Sequence, residues 1–239
     1  KNEEKNIYNI LKSLAIQTYK NIELILVDNF SEDKTIEISK KFKTKIINHG
    51  KERSEQRNVG LNLSKGKYAL YLDADMILTP NLISSLVSEI RKKNCEGIFI
   101  KEFIIGESFF NITRNYEREF YEGSSIDAIR FFKLDKFKEI GGFDENITGQ
   151  EDWDFSIRFN KKYNSELLKK EINQELMLKN SNFYKQLIKK KKISFEGILH
   201  NEIDFKLDDH IKKKKYYLKT FEYYKKKHKN HSSFKQQFT

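Results

Sequence analysis

The chain has 239 residues, of which 38% are hydrophobic, 13% aromatic and 34% charged, and its formal net charge is +11. That is enough apolar side chain for one buried core beneath a heavily solvated surface, and it excludes general disorder. A single Pro and a single Cys, Cys95, exclude a Pro-rich linker, an intrachain disulfide and a thiolate metal cluster, and no apolar run is long enough to span a bilayer.

In chain order, Asn6 to Gln17 places Ile7, Ile10, Leu11, Leu14 and Ala15 at helical spacing. Ile22 to Val27 is a nearly continuous apolar run, which predicts a strand buried on both faces and ending at Asp28. Ser31 to Thr35 supplies cap residues for a helix through Lys41, and Lys45 to Asn48 predicts a short strand. Asn58 to Ser64 reads as a helix stopped by Gly66, and Tyr68 to Leu72 as a strand ending in Asp73-Ala74-Asp75. Pro80 opens a helix from Asn81 to Lys92. This alternation predicts a mostly parallel α/β sheet flanked by helices.

Further on, Gly97 to Ile105 and Ala128 to Lys133 predict strands, and Asn115 to Tyr121 a short helix or ordered loop. Asp135 to Ile140 and Glu151 to Lys161 read as helices. Ser165 to Lys190 has helical composition with weak periodicity and reads as an inserted helix or hairpin. Ile193 to Leu199 predicts a closing strand before His200, and Lys212 to Lys229 a basic, aromatic-studded helix.

Ligands of such sheets sit at the carboxyl ends of the strands, where Asp28 and Asp73-Ala74-Asp75 both fall. Alternation along a strand points Asp73 and Asp75 to one face. Two carboxylates so placed repel unless a cation joins them, and a hard divalent ion that also engages substrate phosphates suits the pair. An Asp-rich turn whose acids cap backbone amides is the plainer alternative.

Leu24 to Thr35, with Asp28 and Ser31, resembles the nucleotide-binding stretch of family 2 glycosyltransferases of the GT-A fold. Arg53 to Gly60, Gly66 to Tyr68 with the strand into Asp73-Ala74-Asp75, Gly141 to Asp144, and Gly149 to Asp154 resemble that family as well. Their order and spacing match it from Asn2 to Phe159, and Ile198 to Glu202, with His200, extends the match.

The resemblance implies an inverting glycosyltransferase of hexosyl type that moves one sugar from a nucleotide-diphosphate donor to a hydroxyl of a glycan or lipid-linked glycan. It implies a nucleotide-sugar-binding set of Glu3, Asp28, Ser31, Arg57 and Asp73, with Asp28 on the base, Arg57 on base or phosphate and Asp73 near the ribose. Asp75 and His200 are implied to hold a divalent cation, manganese or magnesium, at the diphosphate. Asp152 is implied to deprotonate the acceptor, with Glu151 orienting the acceptor or its partner.

On this basis residues 1–164 are expected to form the GT-A core, 1–96 binding the donor and 97–164 the acceptor. Residues 165–192 form the inserted helical segment, and 193–239 the closing strand and basic C-terminal helix. The family usually opens with an apolar strand ahead of a segment like Asn2-Glu3-Glu4, so with Lys1 at the start either more chain or another segment is expected in that place. The chain has no Gln-x-x-Arg-Trp motif of processive synthases, which favours single-sugar transfer.

Plainer readings stand beside these. Asp28 could cap its turn, Arg57 could be a surface cation, and His200 could pack in the core. Glu151 and Asp152 stand at a helix start, where free amides stabilise carboxylates. A sugar nucleotidyltransferase shares a similar sheet and a metal-binding Asp, but the Gly-rich phosphate loop of that class is not seen here. The Lys runs at 212–215 and 225–227, interleaved with Tyr216, Tyr217, Phe221, Tyr223 and Tyr224, would suit base stacking in a nucleic-acid module or packing against the rest of the chain. Nucleic acid is not the expected partner. The tail also suits an anionic membrane surface, so the expected location is cytoplasmic, peripheral at the inner face of the cell membrane.

Overall fold

A computed structural model describes residues 1–106, 108–124, 126–172, 174–179, 195–204 and 206–230. Helix α1 (Ile7–Ala15) buries Ile7, Ile10 and Leu11 at the expected helical spacing. Just past it, the Gln17 side chain donates to the Thr79 carbonyl at 2.8 Å and accepts from the Ile83 N–H at 3.1 Å. This satisfies buried polar groups and locks α1 to the loop that leads into α4 (Leu82–Lys92).

The strands form a mixed α/β arrangement in three hydrogen-bonded groups. β1 (Ile25–Asp28) pairs in parallel with β2 (Lys45–Asn48), and α2 (Thr35–Ser39) connects them. β3 (Tyr68–Leu70) is antiparallel to β7 (Ile129–Lys133), which is antiparallel to β5 (Gly97–Phe99); β5 in turn pairs in parallel with β8 (Ser165–Leu167). β4 (Met76–Leu78) is antiparallel to β9 (Ile198–Asn201), which pairs in parallel with β6 (Glu102–Ile105).

The flanking helices are as expected for an α/β fold, while parallel pairing accounts for three of the six pairings described. Alternating apolar runs reveal strands but not their direction, and β7 enters between β3 and β5 from the opposite end. The single strand expected at Gly97 to Ile105 is two strands, with the chain changing sheets at Ile100 and Lys101.

Among the described residues, two of the four hydrophobic clusters make up most of the core. Aliphatic residues of α1, α4, β4 and β9 form one. The other is aromatic, with Phe132, Phe137, Phe143, Phe155 and Phe159 packed around α7 (Glu151–Asn160); the Phe143 and Phe155 rings stack with centroids 4.6 Å apart. Such pairs add to the free energy of area burial.

Helix α3 (Arg53–Leu63) begins five residues before the expected Asn58. Its first turns carry Arg53, Gln56 and Arg57, which turn inward to make polar contacts and leave no apolar periodicity to read. Helix α5 (Phe109–Glu119) likewise starts ahead of the expected Asn115, and α6 (Leu134–Glu139) lies where it was expected. Within the expected insertion, the described part comprises β8 and α8 (Gln174–Lys179); 180–194 lie outside the described residues.

The basic tail forms α9 (Leu207–Tyr217), a 3-10 turn, and α10 (Phe221–His228), and it packs onto the rest of the chain. Tyr224 is fully buried against Ile147 and Ile157, and its ring lies edge-on to Trp153 at 6.2 Å. Lys227 and His228 reach the buried Asp154 carboxylate at 2.7 and 2.8 Å. Tyr224 therefore serves packing, while Tyr216 and Tyr223 are exposed; 231–239 lie outside the described residues. Tyr224→Ala is expected to cost about 3 kcal/mol in urea unfolding, within the range for emptying a buried aromatic site; an unchanged midpoint would show that α10 is not part of the core.

Candidate active site

A cleft of about 1860 Å³ opens at the ends of β1 and β3. Glu3, Asp28, Arg57, Asp73, Asp75, Asp152 and His200 all line it; Ser31 and Glu151 stand behind its wall. Residues separated by more than a hundred positions thus meet on one surface.

Arg57 is the centre of the base side. Its Nη1 donates to Asp152 Oδ1 at 2.7 Å and Glu151 Oε1 at 3.1 Å, and its Nη2 to Asp73 Oδ1 at 2.8 Å. The guanidinium lies 4.8 Å from the centre of the Tyr71 ring and 5.4 Å from that of Phe143, close enough for cation–π attraction. The Arg57 side chain is 8% exposed, so it is not the surface cation of the plainer reading. Three carboxylates already engage it.

Asp152 Oδ1 also accepts from the Tyr71 hydroxyl at 2.9 Å. Glu151 is wholly buried and pairs with Arg53 at 2.9 Å as well as with Arg57. Burial, with Asp152 beside it, pushes the Glu151 carboxyl above its ordinary value against the pull of both arginines. From the sequence, Glu151 is expected to orient the acceptor or its partner; here it is sealed from the cleft and its carboxylate meets Arg53 and Arg57 instead. Gly149, two residues before it, has φ +92, and a Cβ there would lie 2.3 Å from the Tyr217 ring, so α9 can pack closely only against glycine.

On the other side, Asp75 Oδ2 lies 3.1 Å from His200 Nε2. Burial works against charge on His200, but the carboxylates of Asp75 and Glu102 outweigh it and raise its pKa to about 9. β3 stops at Leu70, so Asp73 and Asp75 lie in the turn before β4, and strand alternation does not set their directions. Asp73 turns to Arg57 and Arg130, while Asp75 turns to His200. Burial would raise the Asp73 carboxyl, yet Arg57, Arg130 and Arg53 hold it well below the usual carboxylate range.

Could Asp75 and His200 hold a divalent cation? Asp75 Oδ1 is buried and has no hydrogen-bond partner, which fits a ligand oxygen waiting for a cation. Among the described residues no cluster of three or more Asp, Glu, His or Cys surrounds the spot, so the chain offers two donors. Magnesium and manganese sites often use one or two protein carboxylates and complete their shell with water and substrate phosphate, so this set fits.

At the donor end, both Asp28 oxygens hold Ser31, one its N–H and the other its hydroxyl, each at 2.6 Å. Ser31 Oγ accepts the Asn2 N–H at 2.8 Å, and Glu3 Oε2 accepts from Asn6 at 3.0 Å. Asp28 therefore shapes its turn while lining the cleft.

Sequence reading missed a second layer. Glu102 pairs with Arg130, with Arg118 at 2.9 Å, and with His200 at 3.7 Å; Arg130 reaches Asp73 at 3.7 Å. Burial opposes the Glu102 charge, but the arginines and His200 hold its carboxyl well below the usual range. The signal was available: Arg130 stands between Ile129 and Phe131, and Glu102 opens the apolar run Phe103 to Ile105, a pattern that calls for buried partners. With them, alternating charges run unbroken from Asp152 through Arg57, Asp73, Arg130, Glu102 and His200 to Asp75.

The family model "Glycosyl transferase family 2" matches residues 1–171. A relative from Escherichia coli, the UDP-Glc:alpha-D-GlcNAc-diphosphoundecaprenol beta-1,3-glucosyltransferase WfaP, is 37% identical over 91 residues, which is 36% of each chain. TarS 1-349 of S. aureus, solved with UDP-GlcNAc, is similar in fold at a TM-score of 0.58 and 22% identity, over 71% of this chain and 54% of that one. The mannosyltransferase PcManGT of Pyrobaculum calidifontis, solved with GDP-Man and Mn2+, gives a TM-score of 0.53 at 17% identity, over 69% and 51%. The chain spans about half the length of the curated relatives it matches. With the family model covering well over half of its residues, the chain belongs to glycosyl transferase family 2.

Proposed function

We propose that this protein transfers a single sugar, with inversion, from a nucleotide-diphosphate sugar to a hydroxyl of a glycan or lipid-linked glycan. The observation that carries this reading is the shared cleft: Asp75 with His200, and Asp152 with Arg57, line one cavity in which a pyrophosphate and an acceptor can meet. The complexes of TarS with UDP-GlcNAc and of PcManGT with GDP-Man and Mn2+ support a nucleotide-sugar donor, and WfaP supports a diphospholipid-linked acceptor.

Asp75 and His200 are the residues to hold a manganese or magnesium ion. A cation so held stabilises negative charge on the departing phosphate oxygen. Glu3 and Asp28 form the wall for base and ribose, with Ser31 holding Asp28 from behind and Asp73 beside it. Asp152 is the general base. Its Oδ1 is fixed by Arg57 and Tyr71, so Oδ2 takes the acceptor proton as the hydroxyl oxygen attacks the anomeric carbon and the phosphate leaves on the opposite side. One displacement with one base inverts that carbon. Arg57 and Glu151 position Asp152 by holding its carboxylate, without touching substrate. The residue ranges 1–96 and 97–164 remain our proposed donor and acceptor halves.

The Lys-rich tail keeps an anionic membrane surface in view as a partner. A nucleic-acid module is disfavoured because Tyr224, one of the rings needed for stacking, is buried.

Two measurements test this reading. Thermal shift with a panel of nucleoside diphosphates is expected to single out one that stabilises the protein only with manganese, by about 2.7 kcal/mol at a hundredfold excess over Kd. Asp75→Ala should abolish that stabilisation, and a shift that persists in the variant would contradict the cation site. Asp152→Asn should leave the shift intact and lower turnover roughly 10²–10⁴-fold, the range for loss of a general base; near-normal turnover would remove Asp152 from the chemistry.

A further inference from the structure

Helix α5 faces the wrong way for a helix in water. A surface helix normally turns its apolar stripe to the core. The inward face of α5 is polar. Asn111 is buried, and Asn115 bonds both the N–H and the carbonyl of Ile104, at 2.7 and 2.8 Å. Arg118 pairs with buried Glu102, and Arg114 with Glu202. At the start, Ser108 and Asn111 form a reciprocal cap.

The outward face is the apolar one. Phe109, Ile112, Tyr116 and Phe120 recur at helical spacing and are 77, 56, 64 and 72% exposed. Rotating the helix to hide them would break the asparagine bonds and strand the Glu102 and Glu202 carboxylates, so the inward polar contacts fix the apolar stripe outward.

The surroundings say what covers it. Arg114 and Arg118 of α5 and Lys213 and Lys214 of α9 line the same cleft, which places the two helices beside each other. Ile203, Leu207 and Ile211 add exposed apolar side chains there. Residues 206–230 carry ten lysines against three acids, four of them consecutive at Lys212 to Lys215. Aromatic rings beside a lysine run match the boundary of an anionic bilayer, where rings enter the acyl edge and ammonium groups meet phosphates. A second copy of the chain would bring two such lysine runs together.

We propose that the outward face of α5 seats the protein on a bilayer bearing anionic lipid, with the Lys212–Lys215 run of α9 against the headgroups. Asp204, Lys206 and Lys213 line the same cleft as Asp75 and Asp152, so this seat sets the cleft beside the lipid surface. The inference draws its purpose, delivery of a lipid-linked acceptor, from the transfer reading.

Co-sedimentation with phosphatidylcholine vesicles, with and without phosphatidylglycerol, tests it. The protein is expected to partition onto the anionic vesicles. The triple variant Phe109→Ser, Tyr116→Ser, Phe120→Ser should partition at least roughly tenfold less, because it removes the apolar area that enters the bilayer. Lys212→Gln with Lys215→Gln should lower binding roughly tenfold on anionic vesicles only. The seat is refuted if the wild type does not bind, if the triple variant binds as well as the wild type, or if light scattering shows a dimer that the triple variant splits. Manganese-dependent stabilisation by UDP is read in parallel on the same proteins. Its absence alongside intact vesicle binding would count against the transfer reading alone, and its presence without vesicle binding against the seat alone.

Discussion

The guanidinium of Arg57 joins three segments of the chain, holding Asp73 of the β3–β4 turn and Glu151 and Asp152 of α7 against α3. Three carboxylates this close repel strongly once removed from water, and a single cation can hold them only if its donors are aimed at all three. A planar, forked side chain does this; a lysine could not reach the same set in the same geometry. The Tyr71 and Phe143 rings beneath the guanidinium exclude water and keep it flat against the wall. The aromatic core is therefore not separate from the site. Phe155 and Phe159 anchor α7, Phe143 joins them beneath Arg57, and the start of that helix presents Glu151 and Asp152.

From this hub the charge alternation extends through Asp73, Arg130 and Glu102 to His200 and Asp75. Arg57, Arg130 and Glu102 are buried and the carboxylates at the cleft are partly exposed, yet each group lies next to an opposite charge, so none can be neutralised without unbalancing its neighbours. The consequence for function is positional. Asp75 and Asp152, the carboxylates we propose for the donor and acceptor sides, belong to one electrostatic frame built on β6, β7, β9 and α3, so their separation is set by the fold. The C-terminal helices reinforce it, since Lys227 and His228 hold Asp154, two residues beyond Asp152, and Tyr217 lies over Arg53 at 5.0 Å.

Much of this was legible in the residues. β2, α4, α6 and α7 appear close to where apolar spacing, caps and Pro80 placed them, and the motif blocks supplied seven of the residues that line the cleft. What escaped has a common physical cause: burial by ion pairing leaves no hydrophobic pattern. The first turns of α3 are polar because Arg53 and Arg57 face carboxylates, and the inward residues of α5 are asparagine and arginine, so both helices were read as starting late. Alternation was also trusted past its range at Asp73 and Asp75, where the strand had already ended. Strand direction, and the division of Gly97 to Ile105 between two sheets, depend on long-range pairing that no local window contains.

The claim on which the account rests is that a cation at Asp75 and His200 and a base at Asp152 face each other across one bound nucleotide sugar. Crystals grown with UDP and manganese, measured at the manganese absorption edge, test it most directly. The account predicts one anomalous peak bonded to Asp75, His200 and the diphosphate, with Asp152 across the same cleft. Manganese and nucleotide bound on another surface, or a diphosphate in the cleft with Asp75 and His200 still paired only to each other, would contradict it.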